Sequence, residues 1–154
     1  MKRIIVILAL AASFLAAWSC DKYEDGRPSK DIRNEFQRMY PDAWDVEWEY
    51  QGSRWEVSFE TGKRPEGKEH TAWYDASGGW IMTETEVFLS EVPQQIKAYL
   101  AESEYGSAQF TDNDAEYIMT PAGNYYRFDV RDGKDQFEVD VNEDGQVSLA
   151  AYGF

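Results

Sequence analysis

The sequence is poor in the residue types that build reactive sites. Of its 154 residues only one is cysteine, Cys20, so a disulfide within one chain and a cysteine-based metal site are excluded. Lysine and arginine together number 15, against 29 aspartate and glutamate residues, and the formal net charge is −14 at pH 7. Such a chain repels phosphate backbones and anionic headgroups, so we expect no nucleic-acid partner.

Signatures of catalysis are also missing. No G-x-S-x-G, G-x-G-x-x-G or Walker pattern occurs in the sequence. The only histidine, His70, follows the charged stretch GKRPEGKE at 62–69, so we expect an exposed loop histidine rather than a general base. With 29 acidic residues, some carboxylates lie close together by chance and do not indicate a glycosidase. The chain is therefore expected to be no enzyme and to hold no cofactor or metal.

A long apolar run occurs only at the N-terminus. Lys2 and Arg3 precede a nearly unbroken apolar run from Ile4 to Trp18. This run is shorter than the ~20 residues that a membrane-spanning helix needs. Residues 1–19 are therefore predicted to be an export signal peptide.

Cys20 stands where the apolar run ends. The stretch LAAWSC at 15–20 resembles the lipobox of bacterial lipoproteins, which implies that Cys20 receives a diacylglyceryl group and becomes the mature N-terminus. The alternative is cleavage after Ser19 by the ordinary signal peptidase, which leaves a free thiol. Polar residues 20–29 are then predicted to be a flexible tether between anchor and domain.

These features predict a place in the cell envelope of a Gram-negative bacterium. With a lipidated cysteine, the protein is expected at the outer membrane or cell surface, touching the membrane only through its lipid. The alternative for the lipidated form is retention at the inner membrane, which an aspartate directly after the cysteine, here Asp21, signals in some lineages. Without the lipid, it is expected to be periplasmic or secreted.

Two amphipathic helices with the same apolar spacing are predicted. Ser29 can cap the first and Ser90 the second. Their apolar stripes are Ile32, Phe36, Met39 and Tyr40 in the first, and Val92, Ile96, Tyr99 and Leu100 in the second. Pro41 helps to end the first helix, whereas Pro93 is tolerated in the first turn of the second.

Segments that alternate with period two, as strands do, follow each helix. The match of RWEVSF at 54–59 with YYRFDV at 125–130, each two residues past a glycine turn, favours an internal duplication. We predict an α+β fold of two tandem repeats, each a helix plus a four-stranded antiparallel β-meander. The helices should pack on one face of the sheet and leave the other solvated.

Two hairpin stretches, WYDASGGW at 73–80 and VDVNEDG at 139–145, complete this pattern behind a lipoprotein signal. Together these features resemble the PepSY-like family, described as β-lactamase-inhibitor-like. The resemblance spans residues 30–154, with repeat one over about 30–89 and repeat two over about 90–154. It implies the fold of a secreted inhibitor built from two such units, but a fold alone does not fix activity.

The stretch DVNEDGQV at 140–147 suggests a calcium loop at first sight. An EF-hand needs a bidentate glutamate at its twelfth position, where this chain has Ala151. A three-residue turn at Glu143-Asp144-Gly145 instead pairs Val141 with Val147 and Val139 with Leu149, and uses Gly145 for a positive φ. We therefore predict a hairpin without a metal.

The tryptophans other than Trp18 all fall in the first predicted repeat: Trp44, Trp48, Trp55, Trp73 and Trp80. The first three are expected to pack beneath the helix. A turn at residues 76–79 would place Trp73 opposite Met82 and Asp75 opposite Trp80. Strand parity then puts Trp73, Trp80 and Met82 on the solvated face, in an exposed patch rimmed by Asp75 and Glu84, unless a loop or a shifted register covers it.

Exposed aromatic residues tend to mark binding surfaces. We therefore expect a monomeric, non-enzymatic module that docks a basic protein or peptide through Trp73, Trp80 and Met82. The family resemblance further implies that docking inhibits a secreted or periplasmic enzyme. Two alternatives stay open, namely glycan capture by the same tryptophans and a structural or stress role in the envelope without a discrete ligand.

Overall fold

The computed structural model describes residues 22–23 and 26–151. Its helices and strands, in chain order, are β1 (Lys22–Tyr23), α1 (Lys30–Met39), β2 (Trp44–Gln51), β3 (Arg54–Thr61), β4 (Lys68–Asp75), β5 (Trp80–Phe88), α2 (Gln94–Glu102), β6 (Gln109–Phe110), β7 (Asp114–Thr120), β8 (Gly123–Asp132), β9 (Asp135–Asn142) and β10 (Val147–Leu149).

These strands form one sheet in the order β1-β2-β3-β4-β5-β7-β8-β9-β10, with β6 paired to β8. All pairs are antiparallel except β1 with β2. The expected α+β class, a largely antiparallel sheet with two helices, is confirmed. The duplication of the sequence stays a prediction.

Helix α1 begins where the sequence predicts. The Ser29 side-chain oxygen accepts a hydrogen bond from the backbone N–H of Ile32 (3.3 Å). Ile32 and Phe36 pack into a core with strand residues Val46, Trp48, Val57, Phe59, Ala72 and Tyr74. The Phe36 ring meets Trp48 and Phe59 edge-on, at centroid distances of 5.3 and 5.0 Å. Helix α1 therefore covers one face of β2–β4.

Helix α2 begins later than the predicted Ser90 cap. Its first residue is Gln94, and the carbonyl of Pro93 accepts from the backbone N–H groups of Ile96 and Lys97. A proline suits this start because the first N–H groups of a helix have no partner within the helix. Ile96 and Leu100 pack into a second core with Val92, Ala115, Phe128, Val130, Val139 and Val141.

Part of the predicted tether is held to the sheet. Lys22 and Tyr23 pair in parallel with Glu47 and Trp48 of β2, so this stretch is not a free linker. Strand β2 would otherwise present an open edge, whose backbone groups β1 satisfies over these two residues. The predicted signal peptide at 1–19 and Cys20 lie outside the described residues.

None of the helices within the described ranges is long and apolar enough to cross a membrane.

The β9–β10 hairpin has the predicted register. Val141 pairs with Val147 and Val139 with Leu149. The Asn142 side-chain oxygen accepts from the backbone N–H groups of Asp144 (3.1 Å) and Gln146 (2.8 Å), so the turn itself uses that oxygen. Over 22–23 and 26–151, no group of three or more His, Cys, Asp or Glu residues is placed to hold a metal ion.

Gly145→Ala should destabilise the protein more than Gly133→Ala. Both glycines have positive φ, 86° and 61°, but a Cβ on Gly145 would lie 2.9 Å from the Tyr99 ring of α2, whereas Gly133 has open space around it. We expect a loss of ~1–2 kcal/mol from backbone strain at both sites. Crowding against α2 should add ~1 kcal/mol or more at Gly145.

Urea unfolding of the two variants measures this difference. Equal losses of unfolding free energy would contradict the seating of the β9–β10 turn against α2.

Two β-bulges displace tryptophans from their predicted faces. In β2 the register with β3 shifts between Trp44 and Glu47, where Asp45 has φ 51°. Trp44 consequently pairs with Glu60 instead of continuing the row of Val46 and Trp48, so its predicted place beneath the helix is wrong. A bulge sets two residues against one and so re-aims the side chains that follow.

The second bulge moves Trp80. Tyr74 pairs with Trp80, so Ile81 is the extra residue, and Trp80 packs against the α1 core. The Trp80 indole N–H donates to the Thr83 hydroxyl oxygen (2.9 Å), which also lies 2.6 Å from the Tyr40 hydroxyl. Thr83 is fully buried, so this hydroxyl satisfies both partners away from water.

Thr83→Val keeps the shape of the side chain but removes its hydroxyl. The Trp80 N–H and the Tyr40 hydroxyl then lose their shared partner, and we expect the unfolding free energy to fall by about 2 kcal/mol. Thr71→Val, on the opposite face, should cost less than about 0.5 kcal/mol. Urea denaturation of both variants tests this, and similar stabilities would contradict the buried arrangement.

Candidate functional site

We call the face of the sheet opposite the two helices the open face, and it is strongly acidic. Directly opposed residues of antiparallel strands share a face, so the strand pairings identify its members. Its acidic residues on β2–β9 are Glu47, Glu49, Glu56, Glu60, Glu69, Asp75, Glu84, Glu86, Asp114, Glu116, Asp129, Glu138 and Asp140. By the same register, the basic residues of these strands on this face are Arg54, Arg127 and Arg131. The open face therefore has a negative potential.

An apolar row crosses the middle of the open face. Trp73 pairs with Met82, and Ile118 pairs with Tyr125. Met82 and Ile118 are only 2% and 0% exposed although both helices lie on the other side. Neighbouring side chains of the open face must therefore cover them. We call Trp73, Met82, Ile118 and Tyr125 the open-face strip.

The two aromatic ends of this strip are partly exposed and held in place. The Trp73 indole N–H donates to a carboxylate oxygen of Glu56 (3.3 Å). The Arg127 guanidinium lies 5.8 Å from the centre of the Tyr125 ring, within cation–π distance. Burial raises the pKa of the Tyr125 hydroxyl, which therefore stays protonated at neutral pH.

Arg127 is fixed by the carboxylates of β9. Its Nε and Nη2 donate to the two oxygens of Asp140, at 2.8 and 3.1 Å, and its Nε lies 3.6 Å from Glu138. The hydrogen bond to Asp140 is the main reason that the pKa of Arg127 is raised. Such a two-point pair fixes the guanidinium plane, so this charge is directed along the sheet towards β9.

Two carboxylates at the centre of the open face are crowded together. Glu84 of β5 pairs with Ile118, while Glu116 of β7 pairs with Glu86, so Glu84 and Glu116 are diagonal neighbours on one face. Burial raises the pKa of Glu116 to about 7, helped by the charge of Glu84 and a hydrogen bond with it. Burial also raises the pKa of Glu84. The pair therefore retains a proton close to neutral pH.

The predicted patch of Trp73, Trp80 and Met82 is only partly assembled. Trp73 does face Met82, but Met82 is buried and Trp80 lies on the helix-covered face because of the bulge at Ile81. Asp75, expected at the rim, caps its own turn by accepting from Ser77 and Gly79. The prediction of one exposed three-residue patch is therefore wrong.

The sequence reasoning missed Ile118 and Tyr125. The alternation of YYRFDV at 125–130 assigns Tyr126, Phe128 and Val130 to the core, which already puts Tyr125 on the opposite face. Ile118 gave a weaker signal, because apolar residues occur on both faces of β7. The second half thus adds an aromatic residue, Tyr125, to the open face.

His70 lies in β4 rather than in a loop. Its ring stacks on Phe59, with centroids 5.0 Å apart, and its two nitrogens lie 2.7 Å from the hydroxyls of Thr61 and Thr85. Burial lowers the pKa of the imidazole. The predicted exposed loop position is therefore wrong, and the histidine is part of the helix-covered side.

Comparison with known proteins identifies the fold. A family model described as "Putative beta-lactamase-inhibitor-like, PepSY-like" matches residues 53–149, from the β2–β3 turn to β10. A search of curated proteins found no match.

Solved structures from Bacteroides share the architecture. A BLIP-like protein from Bacteroides fragilis is 23% identical with a TM-score of 0.68, covering 84% of this chain and 91% of its own. A DUF2874 family protein from Bacteroides ovatus is 17% identical with a TM-score of 0.64, covering 80% and 89%. A protein from Bacteroides eggerthii described as "putative periplasmic" is 20% identical with a TM-score of 0.61, covering 79% and 86%.

At these identities the solved structures establish the fold alone. The family model, by contrast, matches more than half of the chain and includes both hairpins that the sequence singled out. The chain belongs to the PepSY-like, β-lactamase-inhibitor-like family.

Proposed function

We propose that this chain is a non-enzymatic binding module that docks a basic segment of another protein on the open face of its sheet. The observation that carries this proposal is the open-face strip within a field of carboxylates. Arg127, which lies beside the Tyr125 end of the strip, is paired with Asp140 and Glu138, and Arg54 near the Trp73 end is directly opposite Asp75. Negative potential therefore dominates the surface that a partner would meet.

The strip and the carboxylates make different contributions to docking. Trp73 and Tyr125 offer partly exposed rings on which an aliphatic stem or a guanidinium can stack. The surrounding carboxylates attract a basic partner from a distance and raise its association rate. An acidic partner would bring like charges together, which costs several kcal/mol. The arrangement thus selects for lysine- and arginine-rich segments.

The site spans both halves of the chain. We infer a duplicated fold, supported by the equivalent places of RWEVSF in β3 and YYRFDV in β8. In each half the residues Trp55, Val57 and Phe59, or Tyr126, Phe128 and Val130, lie on the helix-covered side. On the open face the halves differ, since Arg54 and Glu56 correspond to Tyr125 and Arg127. Docking would therefore be asymmetric.

The proposed location is the envelope, with Cys20 as lipid anchor. One structural relative is described as "putative periplasmic", which supports an exported protein. The family description supports inhibition of a secreted or periplasmic enzyme as the consequence of docking.

The double variant Trp73→Ala with Tyr125→Ala should lose partner binding. Truncating two central aromatic residues of an interface costs more than about 1 kcal/mol each, so we expect affinity to fall by tenfold or more. The partner is first captured from envelope extracts on the immobilised wild-type protein and identified by mass spectrometry. Its affinity for each variant is then measured by calorimetry, after thermal unfolding has confirmed that the variants fold.

Tyr50→Ala is the matched control. Tyr50 is an aromatic residue with 37% exposure that pairs with Trp55 on the opposite face, so its loss should leave affinity unchanged. Binding by the wild type should also weaken as salt is raised. A partner bound equally well by the double variant, or one that is itself acidic, would refute the proposal.

Lipidation of Cys20 is tested separately by intact-mass analysis of the protein from membranes. We expect the N-terminal cysteine to carry acyl chains, and Cys20→Ser to move the protein from the membrane to the soluble fraction. A membrane-free wild type with an unmodified thiol would show cleavage by the ordinary signal peptidase instead.

A further inference from the structure

The crowded pair Glu84–Glu116 lies beside the open-face strip, where a docking partner would bury it. Glu84 is directly opposite Ile118, and Glu116 is directly opposite Arg127 on the adjacent strand. The guanidinium of Arg127 nevertheless forms its ion pairs with Asp140 and Glu138 on β9. The nearest built-in positive charge is therefore already shared with two other carboxylates.

Every other charged group that faces the pair is acidic. From β3 it is Glu56, from β5 Glu86, from β7 Asp114, from β8 Asp129 beside Arg127, and from β9 Glu138 and Asp140. A hollow of about 130 Å³ lies between the pair and the loop before β7, lined by Glu84, Glu86, Asp112, Asp114, Ala115, Glu116 and Asp129. Arg127 is the cation whose charge lowers the pKa of both carboxyls, and docking a basic segment over this hollow would add further positive charge beside the pair.

We propose that docking of a basic segment on the open face expels the proton that Glu84 and Glu116 share, so that binding tightens as pH rises through neutrality. The proton passes to solvent. The incoming ammonium or guanidinium group then provides the positive charge that reduces the repulsion between the two carboxylates. This inference rests on the proposed function, because it concerns the regulation of the same face.

The direction of the effect follows from proton linkage. The pKa of Glu116 is raised to about 7, so at pH 6 the pair is mostly protonated and at pH 8 mostly ionised. If a cation binds only the ionised pair, its affinity increases about tenfold between these two pH values. The unfolded chain has no such pair, so the same shift makes the folded state less stable as pH rises from 5 to 8.

The probe is an N-acetylated octalysine peptide, which has no group of its own that titrates between pH 6 and 8. Calorimetric titration of the wild-type protein at pH 6 and pH 8, in two buffers of different ionisation enthalpy, gives both affinity and proton release. We expect the dissociation constant to fall about tenfold from pH 6 to pH 8, with about half a proton released per peptide at pH 7.

Glu116→Gln is the decisive variant. It keeps the size of the side chain but never forms the ionised pair, so its affinity should fall to the wild-type value at pH 6 or below it and lose its pH dependence. Glu60→Gln removes the same charge elsewhere on the open face and should keep the tenfold dependence. In the absence of peptide, Glu116→Gln should also abolish part of the fall in thermal midpoint between pH 5 and 8.

The failures of the two proposals look different. If octalysine binds the wild type with the same affinity at both pH values, or if Glu116→Gln keeps the dependence, the proton-linked mechanism is wrong while docking stands. If octalysine binds at neither pH, the basic-partner proposal falls together with this one. Carbon-13 NMR gives a readout independent of the probe: a Glu116 carboxyl that titrates near its ordinary value of 4.5 overturns the mechanism.

Discussion

Both helices pack on the same side of one continuous sheet, and the opposite side must be stable in water without them. Two separate cores, one beneath each helix, hold the buried aromatic and aliphatic residues of the helix-covered side. The open face has no such cover. Its apolar residues include the open-face strip, Trp44 and the exposed Phe88, and its remaining positions are mainly charged. This one-sided packing leaves a broad, acidic surface.

Individual hydrogen bonds and ion pairs stabilise the carboxylates of that surface, because its basic residues are too few to neutralise them all. Glu56 accepts from the Trp73 indole, and Asp140 holds Arg127 through two hydrogen bonds. At Glu84 and Glu116, by contrast, burial and the nearness of the two carboxylates favour retention of a proton. Ionising both carboxyls is therefore unfavourable in the folded protein, and the proposed cationic partner would offset that cost.

Sequence periodicity predicts the strands well but their faces less well. The helix α1 cap and the β9–β10 register follow from local chemistry, since a serine hydroxyl and a left-handed glycine act within a few residues. The faces predicted for Trp44 and Trp80 are wrong because each residue lies next to a bulge, and one extra residue moves a side chain to the other face. Sequence alternation alone does not reveal such a bulge.

The candidate site could be found in the sequence only in part, because it is built across the junction of the two halves. Trp73 and Met82 belong to β4 and β5, whereas Ile118 and Tyr125 belong to β7 and β8. The chain leaves the sheet after β5, forms α2, and returns as β7 directly beside β5.

The pairing of β7 with β5 places Glu84 opposite Ile118 and Glu86 opposite Glu116, although the partners are about thirty positions apart in the chain. Neither β2–β5 nor β7–β10 alone contains the complete strip or the carboxylate pair. Both features therefore depend on β5–β7 pairing, and a change that slipped this register by one residue would turn Ile118 and Glu116 to the helix-covered side. The proposed docking surface thus depends on the pairing of β5 with β7 rather than on either half of the sheet alone.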